Sequence, residues 1–216
     1  MINLSTIDLT TVIDVFLLLL IGIGPKIALV PFLELTAKMD DQVKDRVTRK
    51  MLRTATITAL LLMVFGGLLT RLLHFSTGAL AIAGGIVLLV ISIAMILSRG
   101  EEQTQSPSLL ANDPLRLAVF PLAVPYLLNP AGIVTLVTVS AEAGSLGIFV
   151  IVLGLLALVI GLDVVVFRWA KQVSARLDAS RMLVTEKVFG FLLAALAIQL
   201  VLEGLADVGV IHLVGH

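Results

Sequence analysis

The chain has 216 residues, of which 59% are apolar and 14% charged, and its 15 basic and 15 acidic residues give a net charge of zero. Soluble domains run at about 45–50% apolar and about 25% charged, so there is too little polar surface here to cover a water-soluble globule. A soluble enzyme, a disordered chain and a nucleic-acid binder are excluded. With a mean hydropathy of +1.12, the composition instead holds about 127 apolar positions, enough for six membrane helices of roughly 20 residues each. Cysteine is absent, which removes disulfides and thiolate metal sites together.

The start, MINLSTIDLTT, has no basic segment, so the first apolar run is expected to be a retained anchor rather than a cleaved leader. That run covers about residues 9–37 and is interrupted near its middle by Gly22-Ile23-Gly24-Pro25-Lys26, with a second proline at Pro31. Proline removes a backbone donor and glycine carries the largest backbone entropy loss, so the helix is expected to break there. Lys26 lies about 18 Å or more of helix from either end of its run, too far for its stem to reach water. It is expected to anchor a substrate carboxylate or phosphate, or to carry a proton; a structural ion pair with Asp163 or Glu203 is the alternative. Glu34 precedes Lys38 by four residues, the spacing of a helical ion pair at the interface, with a gating role as the other reading.

The connection at 38–53 carries Lys38, Lys44, Arg46, Arg49, Lys50 and Arg53. Two uninterrupted runs follow, at about 54–73 and 78–98, and the second contains Ala81-x-x-x-Gly85, a pattern that lets helices approach closely. The polar stretch SRGEEQTQSPSLLANDP then divides the chain near its middle. The fourth run, about 114–141, is long and broken like the first, by Pro121, Pro125 and Asn129-Pro130-Ala131-Gly132. Pro25 and Pro130 are 105 residues apart. The fifth run, about 145–168, carries Gly147, Gly154 and Gly161 at seven-residue spacing, expected as a packing face. It ends with Asp163 near Arg168 and Trp169, where a boundary charge is the plain reading. The sixth, about 188–210, holds Gly190-x-x-x-Ala194 and then Gln199, Glu203 and Asp207 every four residues. Asp14, near the outer end of the first run, is expected to be solvated. The three histidines show no metal-ligand spacing, and no metal site or enzyme motif is expected.

Of the 15 basic residues, 13 fall in the first, third and fifth connections, which places those on the cytoplasmic side and both termini outside. Three runs per half imply that related halves would be inverted in the membrane, a recurring plan of secondary transporters. The expected architecture is therefore an all-α membrane protein of six transmembrane helices in two inverted three-helix repeats, with helices 1 and 4 discontinuous. The first repeat is 1–98, the cytoplasmic linker 99–113 and the second repeat 114–216. Half-helices beginning at Pro25 and Pro130 would aim their N-terminal dipoles at a central cavity, a setting for an anionic group.

Several segments carry a resemblance. Phe32-Leu33-Glu34-Leu35-Thr36, Leu80-Ala81-Ile82-Ala83-Gly84-Gly85, the run from Ala118 to Pro125, and the run from Phe191 to Leu205 are similar, in order and spacing, to the MarC family of integral membrane proteins. At the breaks that family has D/N-P-x-G-N-x-P in the first half and G-P-G in the second. Here Gly24-Pro25-Lys26-Ile27-Ala28 and Asn129-Pro130-Ala131-Gly132 stand in their places, so the Gly-Pro and Asn-Pro forms are exchanged. The resemblance implies inner-membrane transport of small neutral amino acids such as glycine or alanine. Combined with the breaks and the charges inside the runs, this reading has Gly24, Pro25, Lys26, Asn129, Pro130, Ala131 and Gly132 bind substrate, although Lys26 departs from the family pattern. Glu203, which matches an acidic position of the family, would serve with Gln199, Asp163 and Glu34 in coupling or gating. Partners would be a small amphipathic solute and the bilayer, with a homo-oligomer also allowed and no nucleic acid. No cofactor is expected, and coupling to protons or sodium stays open. Transport of another small anion or metabolite, and a non-transporting accessory role, are the alternatives.

Overall fold

A computed structural model describes residues 9–37, 39–97, 113–142, 146–173 and 179–212. The linker expected at 99–113 lies outside them apart from its last residue, as do Lys38, and with it the Glu34–Lys38 pair, and His216. Among the described residues the fold is all-helical. Its helices are α1 (Leu9–Gly22), α2 (Pro25–Thr36), α3 (Asp41–Leu73), α4 (Thr77–Leu97), α5 (Pro114–Leu117), α6 (Pro130–Glu142), α7 (Leu146–Val173) and α8 (Ala179–Asp207). Between α5 and α6 the chain from Ala118 to Leu127 is loosely wound and leaves helical dihedrals at Phe120 and Val124. Each of these precedes a proline, whose ring pushes its neighbour toward extended backbone.

Four segments are long and apolar enough to cross a bilayer: Asp41–Leu73, Thr77–Leu97, Leu146–Ala170 and Lys187–Asp207. Helices α1 and α2 have only 14 and 12 residues, each short of the roughly 20 that a span requires. The basic connection expected over 38–53 is largely helical instead. α3 begins at Asp41, because Asp41 gives it an acidic first turn and the stretch from Val43 to Arg53 has several lysines and arginines, good helix formers, and a buried stripe of Val47, Thr48 and Met51. Its C-terminus closes at His74 in the left-handed conformation, φ 54°.

Large apolar side chains point outward along the four long helices, among them Phe65, Val90, Val165 and Phe191. In water such a surface would be a contiguous apolar patch; against lipid tails it is the solvent-matched side. Lipid also removes the hydrophobic drive for helices to associate, so close backbone approach and dispersion must hold them together. The antiparallel pair α4 and α8 shows how. A methyl added at Gly85 would lie 2.7 Å from the Ala197 carbonyl oxygen, and one at Gly204 would lie 2.6 Å from that of Gly78. One at Gly190 would lie 2.8 Å from Ile96 Cγ1 and 3.3 Å from the Ser92 carbonyl oxygen. Gly85 and Gly190 thus sit in the helix seam that the small-residue patterns imply. α3 approaches α6 the same way, and the Gly67 amide donates to Ser140 Oγ at 2.9 Å.

The fifth-run glycines are different. Nothing lies within 4 Å of a methyl added at Gly154 or Gly161, so these two face out from the described bundle and form no packing face within it. The buried face of α7 is Val152, Leu156, Val159, Asp163, Phe167 and Ala170. It joins Val15 and Leu19 of α1, Phe32 and Leu33 of α2, Met51 and Met63 of α3 and Leu136 of α6 in the main core. A smaller core joins Ile27, Leu88, Met95, Ala131, Leu193, Ala197 and Leu200.

Gly204→Ala should therefore lose about 1–3 kcal/mol of stability, the usual result of overpacking. Gly154→Ala should be neutral or slightly stabilising, since alanine is the better helix former. Thermal unfolding in detergent compares the two, and equal midpoints would contradict the α4–α8 seam.

Candidate functional site

The two interruptions meet. α1 ends at Gly22, Ile23 and Gly24 are extended, and α2 restarts at Pro25, the first helical position, where a missing N–H leaves no unmade bond. On the other strand of the crossing, Leu128 is extended and α6 begins at Pro130. Ile23 and Leu128 form an isolated antiparallel bridge, and they are 105 residues apart, like Pro25 and Pro130. At the contact point a methyl on Gly22 would overlap Gly132 Cα, and one on Gly132 would overlap the Gly22 carbonyl. Only two glycines let the backbones cross here.

Asn129 ties the crossing together and is completely buried. Its Oδ1 accepts from the Gly132 amide at 3.1 Å, which caps the N-terminus of α6. Its Nδ2 donates to the Ile21 carbonyl at 2.8 Å, and its backbone amide donates to the Gly22 carbonyl at 3.0 Å. Two carbonyls left over at the end of α1 and one amide left over at the start of α6 are satisfied by this one residue. The first interruption has no such cap: Gly24 holds the equivalent position and offers no side chain to α2.

Beside the crossing lies a cavity of about 790 Å³ between α1, α4, α6 and α8, a volume within the common range of ligand sites. It runs from the end of the bundle that carries Thr77 and His212 to Ile21 and Ala131 at the crossing. Its polar lining comes from Asp14, Thr77, Thr135, Thr138, Gln199, Glu203, Asp207 and His212. Three carboxylates line it and no lysine or arginine does, so its field favours a cationic or ammonium-bearing occupant. Gln199 Nε2 donates to Glu203 Oε1 at 2.9 Å, which orients the carboxylate one turn further along α8.

The residues singled out in the sequence fall into three places. Gly24, Asn129, Pro130, Ala131 and Gly132 are buried at the crossing, Pro25 is half-buried there, and Ala131 also lines the cavity. Gln199 and Glu203 line the cavity wall. Lys26, Glu34 and Asp163 line neither, and Lys26 is exposed rather than enclosed. Among the described residues no ion pair joins Lys26 to Asp163 or Glu203. Asp163 is no solvated boundary charge: it is fully buried, and both its oxygens lack a hydrogen-bond partner among the described residues. Glu34 is half-buried and has a partner. Sequence reasoning missed Gly22 as the contact of Gly132, and Asp14, Thr135 and Thr138 as cavity residues. The threonines had a signal, three residues apart on the helix that begins at the second break. Among the described residues, no group of three His, Asp or Glu side chains is placed to hold a metal ion.

A model of MarC family integral membrane proteins matches residues 9–208. A UPF0056 membrane protein of Methanocaldococcus jannaschii is 27% identical over 81% of this chain and 85% of its own length. One of Archaeoglobus fulgidus is 27% identical over 89% and 91%, and YvbG of Bacillus subtilis, also a UPF0056 membrane protein, is 27% identical over 81% and 84%. No solved structure matches the chain.

Asn129→Ala should lower stability by about 1–3 kcal/mol, because it leaves the Ile21 carbonyl and the Gly132 amide without partners in a dry interior. Thr138→Ala, on the cavity wall, should change it by less than about 0.5 kcal/mol. Unfolding midpoints in detergent test this, and equal effects would remove Asn129 from its role at the crossing.

Proposed function

The chain belongs to the MarC family of integral membrane proteins, and we propose that it is a secondary transporter of small neutral amino acids of the glycine and alanine type, working by alternating access. In this reading α1 with α2, and α5 through α6, are two further membrane-crossing segments, each discontinuous, which makes six in all. Two inverted repeats are supported by one constant offset. Ile23 and Leu128, matched at 105 residues, pair with each other antiparallel. Gly85 meets Ala197 and Gly190 meets Ser92, and both Gly85 with Gly190 and Ser92 with Ala197 are again 105 residues apart. Reciprocal contacts between matched residues are what a two-fold axis in the membrane plane produces.

The observation that carries the transport reading is the polar cavity that ends at the crossing of the two breaks. Glu203, oriented by Gln199, is suited to an ammonium group. The N-terminus of α2 at Gly24 and Pro25, which lacks a side-chain cap, lies at the crossing just outside the cavity lining and would receive a carboxylate once the crossing opens. The α6 N-terminus is less suited, because Asn129 already occupies the Gly132 amide, and Asn129 itself is better read as the clasp of the gate than as a ligand. Lys26 does not line the cavity, which weakens the reading as a carrier of anions. The buried glycine crossing by itself would suit an accessory protein; the polar cavity leading to it favours passage of a solute. In a cell-membrane location the basic-residue distribution supports both termini, and hence the cavity mouth, on the non-cytoplasmic side.

Purified protein in liposomes should take up labelled glycine or alanine, and Glu203→Gln should raise KM about tenfold, the equivalent of about 1.4 kcal/mol. No flux of either amino acid under a proton or a sodium gradient would defeat the proposal. Orientation is testable because the chain has no cysteine. An impermeant maleimide should label Ser76→Cys in intact cells and Asp45→Cys only after permeabilisation, and the reverse pattern would invert the topology.

A further inference from the structure

Asp163 stands on the buried face of α7 with Val159 one turn before it and Phe167 one turn after it. Phe167 packs edge-on against Phe32 of α2, with ring centroids 5.2 Å apart. The face of α7 that bears Asp163 therefore includes its contact with α2, the helix that starts at the first break. The carboxyl group lies seven residues inside Ala170, the inner limit of the apolar stretch, or about 10 Å of helix. Its short side chain cannot cover that distance. Both oxygens are buried and without a hydrogen-bond partner among the described residues.

A carboxylate charge in that setting is far more costly than the neutral acid. Among the described residues the helices packed most extensively on α7 are α1, α2 and α3, and no charged group is within hydrogen-bond distance of Asp163. Asp14 of α1 lines the cavity, Lys26 of α2 is exposed, Glu34 of α2 has a partner of its own, and the basic residues of α3 form no pair with Asp163. A metal cation would require several oxygen ligands, whereas Val159, Phe167 and Phe32 offer hydrocarbon. A proton requires no further ligand.

We infer that Asp163 is the carrier of the coupled proton, held as the neutral acid while α2 is docked on α7 and released to water when that contact opens. The step is a single deprotonation: the O–H bond of the carboxyl breaks, the proton passes to water, and the carboxylate stays on the protein in a hydrated, open contact. Opening the Phe32–Phe167 contact and releasing the proton are then one event, which ties proton movement to the half-helix below the crossing. This inference rests on the transport reading and names its driving ion.

Infrared spectra of the purified protein in liposomes at neutral pH test the proton directly. A protonated-carboxyl band that shifts in heavy water should be present in the wild type and missing in Asp163→Asn. Its absence from the wild type, or its full persistence in the variant, would overturn the assignment. In the transport arm, Asp163→Asn should retain exchange of labelled glycine or alanine between equal pools but lose at least tenfold in accumulation driven by a pH gradient, while Asp163→Glu should retain accumulation. Undiminished accumulation in Asp163→Asn, or accumulation that requires sodium and ignores the pH gradient, would overturn the inference. If the wild type moves neither amino acid, the transport reading falls and the infrared band still decides whether Asp163 holds a proton. If Asp163→Asn does not fold, Asp163→Glu supplies the comparison through a displaced band.

Discussion

Inside a bilayer an unpaired backbone amide or carbonyl has no water to turn to, and a chain that interrupts its helices there must find partners within the protein. Asn129 provides them. Through one carboxamide and one backbone amide it closes two carbonyls of α1 and one amide of α6. Without that exchange the two interruptions would present open polar groups to each other across an apolar interior. The Gly22–Gly132 contact, the Ile23–Leu128 bridge and the floor of the cavity all depend on it, since each requires the two backbones to stay in register at the crossing.

The same constraint explains how the rest of the bundle is held. With lipid on the outside, apolar side chains gain little by facing inward, and cohesion shifts to places where backbones come within a methyl group of each other. Gly78, Gly85, Gly190 and Gly204 do this between α4 and α8, and Gly66 and Gly67 do it between α3 and α6. Helices joined so closely move as units. The flexible part of the molecule is then expected where the chain is interrupted, and the cavity and the buried carboxyl of Asp163 both adjoin elements that begin or end at an interruption.

The two breaks are alike in position and unlike in chemistry. The second carries its own cap and is closed by its own side chain; the first has glycine in the capping position and leaves α2 uncapped. In the proposed cycle this makes α6 the fixed partner and α2 the moving one. Such a division agrees with the buried carboxyl of Asp163, the proposed proton carrier, on the α2 side and a carboxylate-lined cavity on the other.

Much of this was legible in the residues. Composition pointed to a membrane protein, because 59% apolar residues cannot be hidden inside 216, and the length of the apolar runs pointed to helices. Proline and glycine located both interruptions, since their backbone effects are local and do not depend on neighbours. The four-residue recurrence of Gln199, Glu203 and Asp207 marked one polar face of the last helix, and the structure puts that face on the cavity. Tertiary structure alone decided what those features face. Lys26 looked enclosed by its distance along the chain, yet it is exposed, because burial depends on what packs beside a residue. Asp163 looked like a boundary charge beside Arg168 and Trp169, yet it is sealed, because the angular position of a residue on its helix sets its surroundings. Asn129 looked like a ligand, and its carboxamide bonds the Gly132 amide and, across 108 residues of sequence, the Ile21 carbonyl. Local chain chemistry fixes where a helix stops; only the packing of distant segments decides which groups then meet.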